Sequence, residues 1–185
     1  MPEGKTKKIT TEEDLILFGE KLGKNLRAPK VIELIGDVGA GKTTLTKGIA
    51  RGLGVKEEIT SPTFTISKRY FYEIDHDEKN NSVEQKSPST LVHYDFYRLD
   101  DPGIMIDDFE ENLQDKNTII IIEWGDSIQD FLPEENHLKF EIKINDDGTR
   151  EIFELDDENI FSKIADKKSG KTDEKSANKI KENLK

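Results

Sequence analysis

Eight consecutive residues, Gly36-Asp-Val-Gly-Ala-Gly41-Lys42-Thr43, carry the groups needed to hold a polyphosphate. They satisfy the pattern G-x-x-x-x-G-K-[ST] in full. Gly36, Gly39 and Gly41 have no Cβ, so the backbone can curl with its N–H groups turned toward phosphate oxygens. Asp37, Val38 and Ala40 complete that cradle, and Thr44 follows in the first turn of the next segment. Lys42 offers a mobile ammonium to β- and γ-phosphates, and Thr43 offers a hydroxyl to Mg²⁺. The competing explanation is a glycine-rich turn that happens to end in Lys-Thr. Its setting argues against that, because a short apolar run precedes it and a helical pattern follows it. The implied cofactors are ATP and Mg²⁺.

Magnesium also needs carboxylates. Glu123 closes the run TIIII, at the strand end where P-loop folds place a metal-binding acid. Aspartate is the usual residue there. The longer glutamate side chain can reach the metal or polarise the attacking water; alternatively it is a plain surface acid at a strand end. Asp95 follows the apolar stretch Leu91–Tyr94 and can project from the same edge of the sheet. Thr63 and Thr65 are hydroxyl residues placed where a loop can close over a γ-phosphate, or they are β-branched residues entering a strand. Tyr94, Phe96 and Tyr97 read as core and wall residues. Trp124, the single tryptophan, either walls the core or lies beside the site.

The elements that would position these groups alternate along the chain. Thr10 or Thr11 can cap a helix, with Glu13 or Asp14 completing a capping box. Leu15, Leu17, Phe18 and Leu22 give that helix an apolar side. Lys30–Ile35 is a short strand, Lys42–Leu53 a helix ended by Gly54, and Phe64–Tyr72 and Leu91–Tyr94 are further strands. Ile104–Leu113 is a weaker helix candidate. Thr118–Ile122 is the most apolar stretch and suits a central strand buried on both faces. Leu138–Ile144 and Glu151–Leu155 flank Asp146-Asp147-Gly148 as a final antiparallel hairpin. The expected fold is α/β: a P-loop NTPase with a mainly parallel sheet flanked by helices.

Composition bounds the rest. A chain of 185 residues suits one domain. Residues 75–90 read as a surface loop insertion, and residues 166–185 as a charged, solvated tail with seven lysines and four acids. The ATPase domain is therefore expected to span residues 1–165. The formal charge of −11 argues against broad nucleic-acid binding but not against one phosphate cradle. Cysteine is absent and the three histidines are scattered, which disfavours disulfides and zinc. No apolar run approaches the about 18 residues of a membrane span, and no secretory signal is visible, so a cytoplasmic location is expected.

Three further motifs follow the phosphate loop in order: Ser61-Pro-Thr-Phe-Thr-Ile66, His93-Tyr-Asp-Phe-Tyr-Arg-Leu99 and Ile122-Glu-Trp-Gly125. With them, residues 10–155 resemble the TsaE (YjeE) family of bacterial ATPases in tRNA threonylcarbamoyladenosine biosynthesis. The resemblance implies Mg²⁺ binding by Thr43 and Glu123, with Asp95 close by as a switch residue. It implies a first-switch role for Ser61, Thr63 and Thr65 and a place for Trp124 beside the nucleotide. Thr11 and Asp126 would lie toward the adenine. The implied partners are transferase proteins of the TsaD and TsaB type, with tRNA reached indirectly through them and no membrane. The implied activity is weak, partner-dependent ATP hydrolysis that resets the complex modifying adenosine 37 of ANN-decoding tRNAs. Lys42, Glu123 and Asp95 would carry the catalysis. Two other functions remain open: a small-molecule P-loop kinase, and a nucleotide-gated binding module without turnover.

Overall fold

The structure is a computed structural model and describes residues 6–73, 89–99, 101, 103, 105–156 and 160–166. Its strands are β1 (Thr6–Ile9), β2 (Lys30–Ile35), β3 (Ser67–Tyr72), β4 (Ser89–Asp95), β5 (Thr118–Glu123), β6 (His137–Ile144) and β7 (Arg150–Glu154). Its helices are α1 (Glu12–Asn25), α2 (Lys42–Leu53), α3 (Met105–Gln114) and α4 (Ile160–Asp166), with a 3₁₀ segment over Gly125–Phe131.

The seven strands form one sheet in the order β1-β7-β6-β2-β5-β4-β3. β6, β2, β5 and β4 are mutually parallel, and the β6–β7 hairpin is antiparallel. This is the expected α/β arrangement. Both edges add antiparallel strands: β1 pairs with β7, and β3 with β4. The short β1 and α4 had no sequence expectation behind them. Four alternating residues, TKKI, give too little period to read.

Strand alternation splits the core into two layers. Ile32, Leu34, Ile119 and Ile121 face α1 and α2, whereas Val31, Ile120 and Ile122 face α3 and the 3₁₀ segment. The continuous apolar run of β5 is thus explained, since every residue from Thr118 to Glu123 is buried. α1 begins as expected at a capping box, with Thr11 Oγ1 accepting from the Asp14 backbone N–H at 3.0 Å. Leu15, Phe18 and Leu22 are buried, but Leu17 is 43% exposed and does not belong to the apolar side.

α1 and α2 lie unusually close, because glycines meet across the contact. A Cβ on Gly23 would stand 2.2 Å from the Ile49 carbonyl oxygen, and one on Gly52 would stand 2.2 Å from that of Glu20. Any larger residue would force the helices apart, at a cost of about 1–3 kcal/mol. The packing fixes the height of α2, and so of its N-terminus, against the sheet.

Two boundaries differ from expectation by more than one residue. β3 begins at Ser67, because residues before it form a turn closed by the Ile66 N–H on the Pro62 carbonyl (2.6 Å), with Ile66 at φ 65°. Ser89 and Thr90, expected in the 75–90 loop, already belong to β4. The remainder of that loop, residues 75–88, falls outside the described residues, and so does the 166–185 tail beyond Asp166.

Candidate active site

The parallel strands end at one edge, and the loop from β2 to α2 curls over it. Gly36, Gly39 and Gly41 have φ values of 147°, 81° and 110°, a region closed to most side chains. At Gly36 a Cβ would also stand 2.5 Å from the Ile142 carbonyl oxygen. α2 then starts at Lys42 with no side-chain cap on its first N–H groups. Those groups and the helix dipole make a site for an anion.

Lys42 is 5% exposed and folds back on its own loop. Its Nζ donates to the carbonyls of Gly36 (2.6 Å) and Asp37 (2.9 Å), and lies 4.0 Å from the Trp124 ring centroid. Burial pulls its pKa below the usual lysine value, while the carboxylates of Glu123, Asp95 and Asp37 act in the opposite direction. An ammonium held by carbonyls, a π face and distant acids is poised for a closer anion.

Alternation along β4 and β5 places the acids. His93 and Asp95 share one face of β4, and Glu123 projects from the same face of β5, toward α2. Asp95 and Glu123 are opposite one another in the parallel register, at 4% and 3% exposure. Thr43 Oγ1 donates toward both oxygens of Glu123, at 2.9 and 3.2 Å. Asp95 Oδ2 accepts from Ser61 Oγ (2.9 Å) and Thr63 Oγ1 (2.5 Å), and its Oδ1 accepts from the Tyr97 N–H at 3.0 Å. One carboxylate is tied to the phosphate loop and the other to the 61–65 loop.

These groups surround an open cleft of about 500 Å³. Val38, Gly39, Gly41, Lys42, Thr43 and Thr44 line one wall; Ser61, Thr63, Asp95, Glu123 and Trp124 line the others. Ala40 is buried behind the loop, and Thr65 turns away, with its N–H on the Pro62 carbonyl. Thr11 caps α1, and its neighbour Glu12 reaches the cleft. Asp126 lies in an adjoining hollow with Gly36, Asp37 and Trp124. Trp124 lines both, in a left-handed backbone conformation (φ 60°) and 4.9 Å from the Tyr97 ring.

Sequence reasoning assigned no role to three residues that the fold brings here. Arg150, first in β7, lines the cleft and donates from Nε to the Ala40 carbonyl at 2.9 Å. Arg98 also lines it, 4.6 Å from the Tyr97 ring. His93 lies behind Glu123, with Nε2 2.9 Å from Oε1. His93 and Arg98 left a readable signal, since both lie in the motif His93–Leu99, and His93 is a polar residue inside the stretch Leu91–Tyr94. Arg150 is 110 residues from Ala40 and gave none.

The family model for "Threonylcarbamoyl adenosine biosynthesis protein TsaE" matches residues 9–152, which include all four motifs. The chain belongs to the TsaE family. Among curated relatives, the TsaE protein of Streptomyces coelicolor is 36% identical over 118 residues, covering 64% of this chain and 72% of that one. The TsaE protein of Treponema pallidum is 34% identical over 143 residues, covering 76% and 92%. The crystal structure of Bacillus subtilis YdiB superposes with a TM-score of 0.63 at 28% identity, covering 89% of this chain and 93% of that one. The fold and the family thus agree with the order of motifs. Among the described residues no helix is long and apolar enough to cross a membrane.

Proposed function

We propose that the protein is a Mg²⁺-dependent ATPase that serves threonylcarbamoyladenosine formation on tRNA. The supporting observation is the convergence of Lys42, Thr43, Glu123 and Asp95, from three separate elements, on one cleft beneath an uncapped helix N-terminus. Family membership supports the pathway, and the proteins it matches are named for that biosynthesis. The ATPase domain is assigned to residues 1–165.

The donor set fits Mg²⁺. It is a hard cation bound through one or two carboxylates, hydroxyl oxygen, phosphate and water. Thr43, Glu123 and Asp95 supply oxygens of that kind at one sheet edge. Among the described residues no group of three or more His, Cys, Asp or Glu side chains could hold a metal by itself, so phosphate oxygens would complete the shell. When bound, the ion supplies charge neutralisation across the β- and γ-phosphates.

The chain's own residues do the remainder. Backbone N–H groups of 36–44 hold the phosphates, and Lys42 exchanges the Gly36 and Asp37 carbonyls for phosphate oxygens. Water attacks the γ-phosphorus, the bond to the β-phosphate oxygen breaks, and ADP and phosphate leave. Glu123 or Asp95 orients that water. Asp95 holds Ser61 and Thr63, so γ-phosphate release changes what the 61–65 loop can bind. That coupling would let hydrolysis reset a complex of TsaD- and TsaB-type proteins. Thr11 and Asp126 are assigned to the adenine side.

The test is ATP turnover with Mg²⁺, with and without candidate transferase proteins and tRNA. Partner-stimulated release of phosphate is expected. Absence of turnover under all conditions would favour a binding module, and stoichiometric phosphorylation of a metabolite would favour a kinase.

A further inference from the structure

We infer that His93 is a positioning residue that assigns the two oxygens of Glu123 to different tasks, an inference that rests on the ATPase reading above. His93 is 0% exposed and Glu123 is 3% exposed. Nε2 lies 2.9 Å from Oε1, and a carboxylate oxygen has no proton to give, so Nε2 carries the hydrogen and donates. Nδ1 is buried and has no partner among the described residues. A bare lone pair there costs less than an unpaired N–H, which is consistent with the hydrogen sitting on Nε2.

The two donors on Glu123 differ in kind. Thr43 belongs to the cleft wall, and its hydroxyl can rotate when nucleotide and metal arrive. His93 stands on the same face of the sheet as Glu123, on the neighbouring strand, and is fully buried. Its bond holds Oε1, which also takes the shorter Thr43 contact at 2.9 Å, and leaves Oε2 with only the longer one at 3.2 Å, so Oε2 is the freer oxygen. The backbone beneath is pinned as well, since the Phe96 N–H donates to the Glu123 carbonyl at 3.0 Å. A glutamate has one more rotatable bond than the aspartate usual at this position. His93 removes the freedom that the extra bond adds, so the longer acid can act as a fixed ligand. Groups that orient a metal ligand in this way commonly contribute 10–100-fold to metal affinity, as an order of magnitude.

The imidazole nitrogens can be separated by substitution. In His93→Gln the amide nitrogen reaches the position of Nε2; in His93→Asn it reaches only that of Nδ1. The experiment titrates Mg²⁺ against ADP binding by calorimetry on the full chain, and records metal-free ADP affinity and thermal midpoint for each variant. Metal-free ADP affinity should be equal in all three proteins. The Mg²⁺ half-point should stay within about twofold in His93→Gln and rise roughly tenfold in His93→Asn. An unmoved half-point in His93→Asn, or equal losses in both variants, overturns the inference, even if both lower the thermal midpoint as a purely structural histidine would. If the unsubstituted protein binds ADP with no response to Mg²⁺, the ATPase reading fails, and this inference with it.

Discussion

Two buried glutamates occupy neighbouring strands of the same sheet and have nearly the same companions, yet they sit on opposite faces. Glu123 lies beside His93, Thr43 and the ammonium of Lys42, and opens on the cleft. Glu33, on β2, is 2% exposed and lies under the 3₁₀ segment. Its Oε1 accepts from Gln129 at 2.6 Å, while His137 Nε2 and Lys139 Nζ lie 3.2 and 3.1 Å from Oε2. Neither of the latter two makes a well-aligned hydrogen bond, since Oε2 and His137 Nε2 have no such partner among the described residues. The Lys139 contact is ionic.

The difference lies in what the donors can do next. Around Glu33 they come from β6 and the 3₁₀ segment, and the carboxylate ties those elements to the sheet. Burial by itself would raise the Glu33 pKa, but His137, Gln129 and Lys139 together bring it down from the ordinary 4.5 to about 2. Around Glu123 one donor is a hydroxyl that a metal could recruit, and the nearby ammonium is held by carbonyls that a phosphate could replace. A buried acid fixed on all sides stabilises the fold; one with a replaceable partner can do chemistry.

The largest expected effect is on turnover. Lys42→Ala removes the cation that the phosphate loop directs at the β- and γ-phosphates and should lower ATP hydrolysis by about 100-fold or more, with circular dichroism unchanged. Unaltered phosphate release would break the functional half of the comparison. The other half is a stability effect. Glu33→Ala leaves His137 and Lys139 without their acid and should cost about 3 kcal/mol, lowering the thermal midpoint by about 6–12 °C. Because the folded-state pKa of Glu33 is depressed, its contribution is complete above pH 4.5 and is lost as the pH falls toward about 2. The stability gap between wild type and Glu33→Ala should therefore shrink across that window; a gap independent of pH would contradict the ionic account.

Much of this arrangement is legible in sequence because it depends on local order. The strand–loop–helix around Gly36–Thr43 is set by glycine spacing and by an apolar run of fixed length. β5 is apolar from Ile119 to Ile122 because both of its faces are covered. Glu33 could not be recognised that way: a lone acid inside KVIELI resembles a solvent-facing residue until the 3₁₀ segment is known to cover it. Phe64–Ile66 suggested strand by β-propensity, but Pro62 and the cleft-facing hydroxyls of Ser61 and Thr63 favour a turn. The cleft contacts of Arg150 depend on hairpin register, which no short window contains.

Two smaller effects sharpen the map of the cleft. Arg150→Ala removes one hydrogen bond to the phosphate loop and should weaken ATP binding by about three- to tenfold in calorimetry. Unchanged affinity would make Arg150 a bystander. Trp124 lies against Lys42 and between the two hollows, so its emission should shift on addition of Mg²⁺–ATP as the ammonium turns toward phosphate. A flat signal at saturating nucleotide would show that Lys42 keeps its present partners.

The central claim is that one of these two glutamates is catalytic and the other architectural. It is tested most directly by measuring Mg²⁺-dependent ATP turnover of Glu123→Gln and Glu33→Gln side by side with wild type, in the presence of the transferase proteins. Each substitution keeps shape and removes charge. The account predicts a fall of about 100-fold for Glu123→Gln and a change within about threefold for Glu33→Gln at temperatures below its midpoint. Equal losses in the two variants, or full activity in Glu123→Gln, would contradict it.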